Sequence, residues 1–208
     1  MCGRYSVGTD YFRLAARFDL NPDGYVGWQS RWNVAPGQDI PVVLPTKDGN
    51  GLASMRWGLA PSWAKANFRP INLRSETVLE KRGFREIALN RRCILPADGY
   101  YEWDREKQPW RFVLPGGELF GMAGVWTEGT CAILTRNAES CGAAALHDRM
   151  PVILPQAAER EWLEGRSENL VGLLDALRAA RVGLRWYRVS KRVNSSANEG
   201  AKCVEPTG

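Results

Sequence analysis

Residues 92–135 read RCILPADGYYEWDREKQPWRFVLPGGELFGMAGVWTEGTCAILT. Five short apolar runs of β type lie inside this stretch, at 92–95, 99–103, 110–114, 119–125 and 131–135. Gly, Pro or Asp punctuates them, which predicts a succession of short strands. Outward from this centre, runs of the same kind recur at 41–45 (PVVLP), 52–57 (LASMRW), 151–154 (PVIL) and 185–190 (RWYRVS), and residues 1–6 read as a further short strand. Helical patterns lie near 75–81, 84–89, 156–164 and 168–181. Another starts at a Thr9 or Asp10 cap and runs to about Asp19, with Phe12, Ala15, Ala16 and Phe18 expected towards the core. Many short strands with helices inserted irregularly predict an α+β fold: a mostly antiparallel, barrel-like β core, closed or nearly closed, flanked by several helices. The chain is expected to form a single domain over 1–208, with a polar tail from about 194 to 208 that reads as loop with frayed last residues.

Composition narrows the class. Of 208 residues, 44% are hydrophobic and 25% charged, and nine Trp, six Tyr and six Phe supply ample surface to bury, which excludes intrinsic disorder for most of the chain. No apolar run approaches the roughly 18–20 residues of a membrane span. The opening MCGRYSVGTD lacks the apolar stretch of a secretory signal, so a cytoplasmic monomer is expected. The five cysteines, at 2, 93, 131, 141 and 203, form no CxxC, and the single histidine is His147. Neither a structural zinc site nor a disulfide framework is expected, and the chemistry below calls for no metal and no cofactor.

The net charge of +5 is uneven. Residues 1–112 carry 17 basic and 12 acidic side chains, whereas 113–208 carry 11 of each. Between 56 and 92 stand nine basic side chains against Glu76, Glu80 and Glu86, with Trp57, Trp63, Phe68 and Phe84 interleaved. Cationic groups with exposed rings suit a single-stranded nucleic acid, phosphates meeting charge and unstacked bases meeting flat rings. A solvated basic face over ordinary core aromatics is the competing reading.

Four residues carry candidate chemistry. Removal of Met1 would leave Cys2 with an α-amine and a thiol on adjacent carbons. An α-amine has a pKa of about 8, so a useful fraction is nucleophilic at neutral pH. Such an aminothiol condenses with an aldehyde to an imine, which the thiol closes to a five-membered thiazolidine; alternatively the thiol alone attacks an amide. His147, in ALHDRMPVIL, must perform any imidazole acid–base step. Glu102, in ADGYYEWD, shares a strand face with Tyr100. If that face is buried, the pKa of Glu102 is raised as a proton shuttle needs; if it is solvated, Glu102 is surface. Asn72, in RPINLRSET, shares a face with Arg74 in an extended segment, where the amide can orient a substrate group and the guanidinium can hold a phosphate.

These segments occur together. CGRY at the N-terminus, WNVAPG, WGLAPSW, INLRSET, RRCILPADGYYEW, FGMAGVW, LTRNA and LHDRMPVIL follow the order and rough spacing of the SOS-response-associated peptidase (SRAP) domain, which the chain resembles from Cys2 to about Asn198. The resemblance implies self-removal of Met1, binding of single-stranded DNA at abasic sites, including junctions with duplex, and a covalent thiazolidine crosslink between Cys2 and the open-chain sugar aldehyde. It implies Cys2 as nucleophile, Glu102 as the group that moves protons during ring closure, His147 as the acid that opens the cyclic sugar, and Asn72 as the group that positions Cys2. It further implies phosphate contacts by Arg4, Arg74, Arg149 and, on a looser match, Arg82. Pro36 and Trp103 would form the apolar wall on which a base packs. The protein would then associate with the nucleoid when bound to DNA. Two other readings use the same sequence: an N-terminal-cysteine peptidase or amidohydrolase working with Cys2 and His147, and a noncatalytic single-strand binding module in which Cys2 is dispensable.

Overall fold

The computed structural model describes residues 2–22, 27–139, 144 and 146–207. The chain begins β1 (Tyr5–Val7), α1 (Tyr11–Phe18), β2 (Arg31–Val34), β3 (Asp39–Thr46), β4 (Gly49–Trp57) and β5 (Asn72–Arg74). It continues α2 (Arg82–Asn90), β6 (Arg92–Ala97), β7 (Gly99–Trp103), β8 (Pro109–Val113), β9 (Phe120–Thr127) and β10 (Thr130–Asn137). β11 (Arg149–Pro151), β12 (Ile153–Leu154), α3 (Gln156–Glu164), α4 (Leu170–Ala179) and β13 (Arg185–Arg188) complete it. The five runs of the central stretch are thus β6 to β10.

Two sheets form. The first has the order β13-β8-β7-β1-β2. The second runs β11-β10-β4-β3-β6-β9-β12, with β5 also on β10 and a further pairing between β9 and β10. Strands β4, β3, β6, β9 and β10 therefore close into a ring, which is the barrel-like core expected of an α+β chain. Most pairings are antiparallel, but the ring closes through a short parallel contact, Thr130 opposite Arg56 and Cys131 opposite Trp57. Gly58 ends β4 at φ +137°, and its N–H reaches the Cys131 carbonyl at 2.9 Å. That backbone conformation is open to glycine and costly for any other residue.

One apolar cluster extends from Cys2 through the ring to Leu184, with Trp57 and Trp162 among its largest fully buried side chains. α3 packs on the ring through Trp162, whose indole N–H bonds the Cys93 carbonyl at 2.9 Å. α1 is capped by Asp10, whose carboxylate accepts from the Arg13 N–H, and it stops at Asp19 in the left-handed conformation. Its buried stripe is Tyr11, Leu14, Ala15 and Phe18. The expected inward positions Phe12 and Ala16 instead face solvent, because a helix that starts at Tyr11 repeats its stripe at i+3, i+4 and i+7.

Three other stretches differ from the sequence reading. Residues 75–81 form turns rather than a helix, with Thr77 N–H to the Arg74 carbonyl and Glu80 N–H to the Thr77 carbonyl. Thr77 and Val78 are β-branched and give little helical preference to so short a segment. RWNV, for which the sequence reading predicts no element, is strand β2, which pairs with β1. The tail is not frayed through residue 207. Val189 bridges Pro206, the Thr207 N–H reaches the Arg188 carbonyl at 2.9 Å, and Cys203 lies in a second apolar cluster with Tyr101, Val189 and Val193.

At the meeting of β6, β9 and β10, Gly124 leaves no room for a methyl group. An added Cβ would stand 2.2 Å from Leu95 Cδ1 and 3.0 Å from Cys93 Sγ. Gly124→Ala is expected to destabilise the protein by about 2 kcal/mol through overpacking, lowering Tm by roughly 4–8 °C. A thermal melt that matches the parent would contradict this account of the ring's packing.

Candidate active site

The N-terminal strand is fixed before any reactive group is placed. β1 lies between β7 and β2, with Tyr5 opposite Tyr100 and Ser6 opposite Gly99. Asp98 clamps it: the Ser6 hydroxyl donates to Oδ1 at 2.5 Å and the Gly8 N–H to Oδ2 at 2.7 Å. The buried Arg111 guanidinium pairs with the same carboxylate at 2.8 Å. The pairing continues outward, with Tyr101 N–H to the Arg4 carbonyl at 2.9 Å. In that register Gly3 comes opposite Glu102, which brings Cys2 to the carboxylate.

Glu102 occupies the face of Tyr100 and is 4% exposed, so the buried alternative for that face is the one realised. Burial pushes its carboxyl up to about 7, where it exchanges protons at neutral pH. The Cys2 thiol is fully buried, and burial, together with the Glu102 charge, holds it well above the ordinary thiol range. On the other side of Cys2, the Asn72 amide of β5 donates to the Cys2 carbonyl at 2.9 Å. His147 precedes β11 and places Nε2 at 4.0 Å from Glu102 Oε2. Its Nδ1 accepts the Arg149 N–H at 3.0 Å, and Asp148 Oδ1 lies 3.0 Å from the same atom. Burial lowers the imidazole pKa below its ordinary value. Cys2, Asn72, Glu102 and His147 therefore converge, although they come from the N-terminus, β5, β7 and the approach to β11. Met1, whose removal the sequence reading expects, lies outside the described residues, as does Cys141.

The residues expected to meet DNA surround this centre unevenly. The Arg4 guanidinium donates to Asn33 Oδ1 at 2.7 Å and to the Val193 carbonyl at 2.6 Å, and lies 5.8 Å from the Trp103 ring centre. The Trp103 indole N–H reaches Asn194 Oδ1 at 2.7 Å, so the packed tail holds both side chains. Arg74 is exposed at the end of β5. Arg149 forms a two-pronged pair with Glu76 at 2.7 and 2.8 Å. Pro36 lines a cleft of about 380 Å³ with Arg56, Trp57, Arg69 and Ile71, the last adjacent to Asn72. Arg82 stands elsewhere, at the start of α2. It lines a cleft of about 970 Å³ with Trp63, Phe68, Phe84 and Arg91, and none of the four convergent residues contributes to that cleft. Trp63 and Phe68 are 57% and 40% exposed, whereas Trp57 is fully buried, so the interleaved aromatics divide between surface and core.

Sequence reasoning missed Asn33, Asn194 and Glu76 as partners of the named side chains. Each acts across a long sequence separation, and an isolated Asn or Glu in a polar stretch gives no signal of that. Among the described residues, no three His, Cys, Asp or Glu side chains gather as a metal site, and no helix is long and apolar enough to cross a membrane.

The sequence profile of the SOS response associated peptidase (SRAP) family matches residues 1–196. The abasic site processing protein YoqW of Bacillus subtilis (strain 168) is 35% identical over 227 residues, covering 99% of each chain. The abasic site processing protein YedK of Escherichia coli (strain K12) is 29% identical over 99% of this chain and 100% of its own. The abasic site processing protein HMCES of Mus musculus is 30% identical over 89% of this chain and 67% of its own. Among solved structures, a Bacteroides thetaiotaomicron protein superposes with a TM-score of 0.77 at 25% identity, covering 99% of this chain and 100% of that one.

Proposed function

The chain belongs to the SOS response associated peptidase family, and we propose from that premise that it captures abasic sites in single-stranded DNA, including sites at a junction with duplex, through a covalent bond to Cys2. The observation that carries the reading is the convergence of the only histidine, a buried glutamate with a pKa of about 7 and an asparagine amide on Cys2.

Removal of Met1 converts the Cys2 amide nitrogen into an amine. The cyclic abasic sugar hides its aldehyde, so an acid must open it, and His147 in its protonated form supplies the proton to the ring oxygen. The amine adds to the aldehyde, and Glu102 passes the proton that lets the carbinolamine lose water. The thiol then adds across the imine carbon to close the thiazolidine. One C–N and one C–S bond form, one water leaves, and no electron is transferred. Asn72 holds the Cys2 carbonyl, and with it the amine and thiol, in one orientation through these steps.

The thiol favours this reading over a thiolate–imidazolium peptidase, which needs a depressed thiol pKa, because here burial raises it. A site without a base also admits a small nucleophile that a paired base would exclude, which gives selectivity without base readout. The test is a denaturing gel of the protein mixed with single-stranded DNA. A shifted, denaturation-resistant complex is expected with an abasic strand and none with the undamaged strand. Equal behaviour on both refutes the proposal.

Arg74, exposed beside Asn72, is assigned to a phosphate. Arg74→Ala is expected to weaken binding to damaged and undamaged single strands alike, and to reduce the slope of log K against log salt by about 0.7. A fluorescence-anisotropy salt titration with an unchanged slope would remove Arg74 from the contact set.

A further inference from the structure

We propose that Glu76 is a positioning residue for His147: through Arg149 it fixes where the imidazole stands and which ring nitrogen carries the proton. The proposal rests on the reading of His147 as the acid of the reaction above.

Thr135 of β10 is paired with Arg74 of β5 on one side and with Pro151 of β11 on the other. The strand that bears Asn72 and the strand that follows His147 therefore lie on opposite edges of β10. The Arg149 side chain joins them. Nη1 and Nη2 donate to the two Glu76 oxygens at 2.7 and 2.8 Å, while Nη2 also reaches the Thr135 carbonyl at 2.7 Å and its hydroxyl at 3.2 Å. A two-pronged arginine–carboxylate pair with a backbone anchor is a directional arrangement. The Arg149 side chain is 12% exposed and the Glu76 side chain 35%, so the pair is covered on the arginine side and open to solvent on the glutamate side. Burial raises the Glu76 carboxyl, but the Arg149 hydrogen bond and charge, together with backbone hydrogen bonds from Glu76 itself and Asn137, hold the group below its usual range.

The same residue's backbone sets the imidazole. The Arg149 N–H donates to His147 Nδ1 at 3.0 Å, so in the neutral ring that nitrogen is the acceptor and Nε2 carries the hydrogen. Nε2 is the atom that faces Glu102. Among the described residues, the charged groups around the ring include Glu102, Asp148 and Arg149. Asp148 Oδ1, also 3.0 Å from Nδ1, meets a hydrogen there when the ring is protonated or when the neutral ring carries its hydrogen on Nδ1. The Arg149 N–H favours the neutral ring with hydrogen on Nε2, whereas Asp148 favours the imidazolium and the Nδ1–H tautomer; the Glu76 strap holds Arg149 in place for the first.

The chain has one histidine, so its two ring nitrogens can be followed by ¹⁵N NMR without assignment. Spectra of the DNA-free parent, Glu76→Gln and Glu76→Ala across pH are to be read with thermal melts and single-turnover crosslinking rates. In the parent the neutral ring is expected to carry its hydrogen on Nε2. In Glu76→Ala the two nitrogen shifts should draw together as the second tautomer is populated. The crosslinking rate should fall about tenfold, with a displaced pH profile. Glu76→Gln should lie between, since an amide oxygen keeps one of the two bonds. Parent-like ring shifts in Glu76→Ala overturn the proposal, whatever the melt or rate shows. If Glu76→Ala does not fold, parent-like shifts in Glu76→Gln overturn it equally. Altered ring shifts in a protein whose parent forms no crosslink would uphold the positioning role and refute the proposed function.

Discussion

Cys2→Ser is expected to reduce the denaturation-resistant complex with abasic single-stranded DNA to background. The variant keeps the α-amine, so it still forms an imine, but the hydroxyl is a far weaker nucleophile than the thiol and does not close a durable ring. Without that closure the imine hydrolyses. Borohydride should therefore trap an adduct with Cys2→Ser that disappears when the reductant is omitted, whereas the parent adduct should persist without it. The measurement is adduct yield on a denaturing gel with and without borohydride. A stable adduct in Cys2→Ser without reductant would show that another nucleophile carries the chemistry. Unchanged noncovalent binding is compatible with the account, because phosphate contacts do not involve the thiol.

Glu102→Gln is expected to slow crosslinking by about a hundredfold or more, the range for loss of a general acid–base group. Glutamine keeps the shape and removes the exchangeable proton. The variant carries a second, independent signature in stability. The folded Glu102 titrates at about 7, above its ordinary value of 4.5. The folded state thus binds the proton more tightly than the unfolded state does. The contribution of this group to stability is complete below the unfolded value and is lost as pH rises through about 7. Glu102→Gln should remove that loss, so parent and variant melts should diverge from pH 5 to pH 8 with the variant the more stable at the upper end. Single-turnover rates near those of the parent, or parallel melts over that range, would contradict the assignment.

The sequence carried the strand-rich core, because punctuated apolar runs such as those at 92–135 leave no room for helices. It did not carry the closure of the ring, which depends on two parallel backbone pairs between β4 and β10, strands separated by more than 70 residues. Local pattern also misled at residues 75–81, where side-chain spacing suggests a helix but the backbone makes turns. Asn72 was legible as an extended neighbour of Arg74, and Glu102 as a strand residue beside Tyr100. Which face of β7 is buried was not legible, because both are: Tyr100 packs in the main core and Tyr101 against the C-terminal tail. That tail is polar by composition, yet it anchors Arg4 and Trp103, and nothing local in its sequence marks those contacts.

The account rests on a covalent bond at the first mature residue. Intact-mass analysis of the protein after incubation with an abasic oligonucleotide, followed by mapping of the modified peptide, tests it most directly. The expected species is the chain without Met1, increased by the oligonucleotide mass less one water, with the modification on the peptide that begins at Cys2. A chain that retains Met1 in the adduct, or an adduct mapped to a lysine or an internal cysteine, would contradict it.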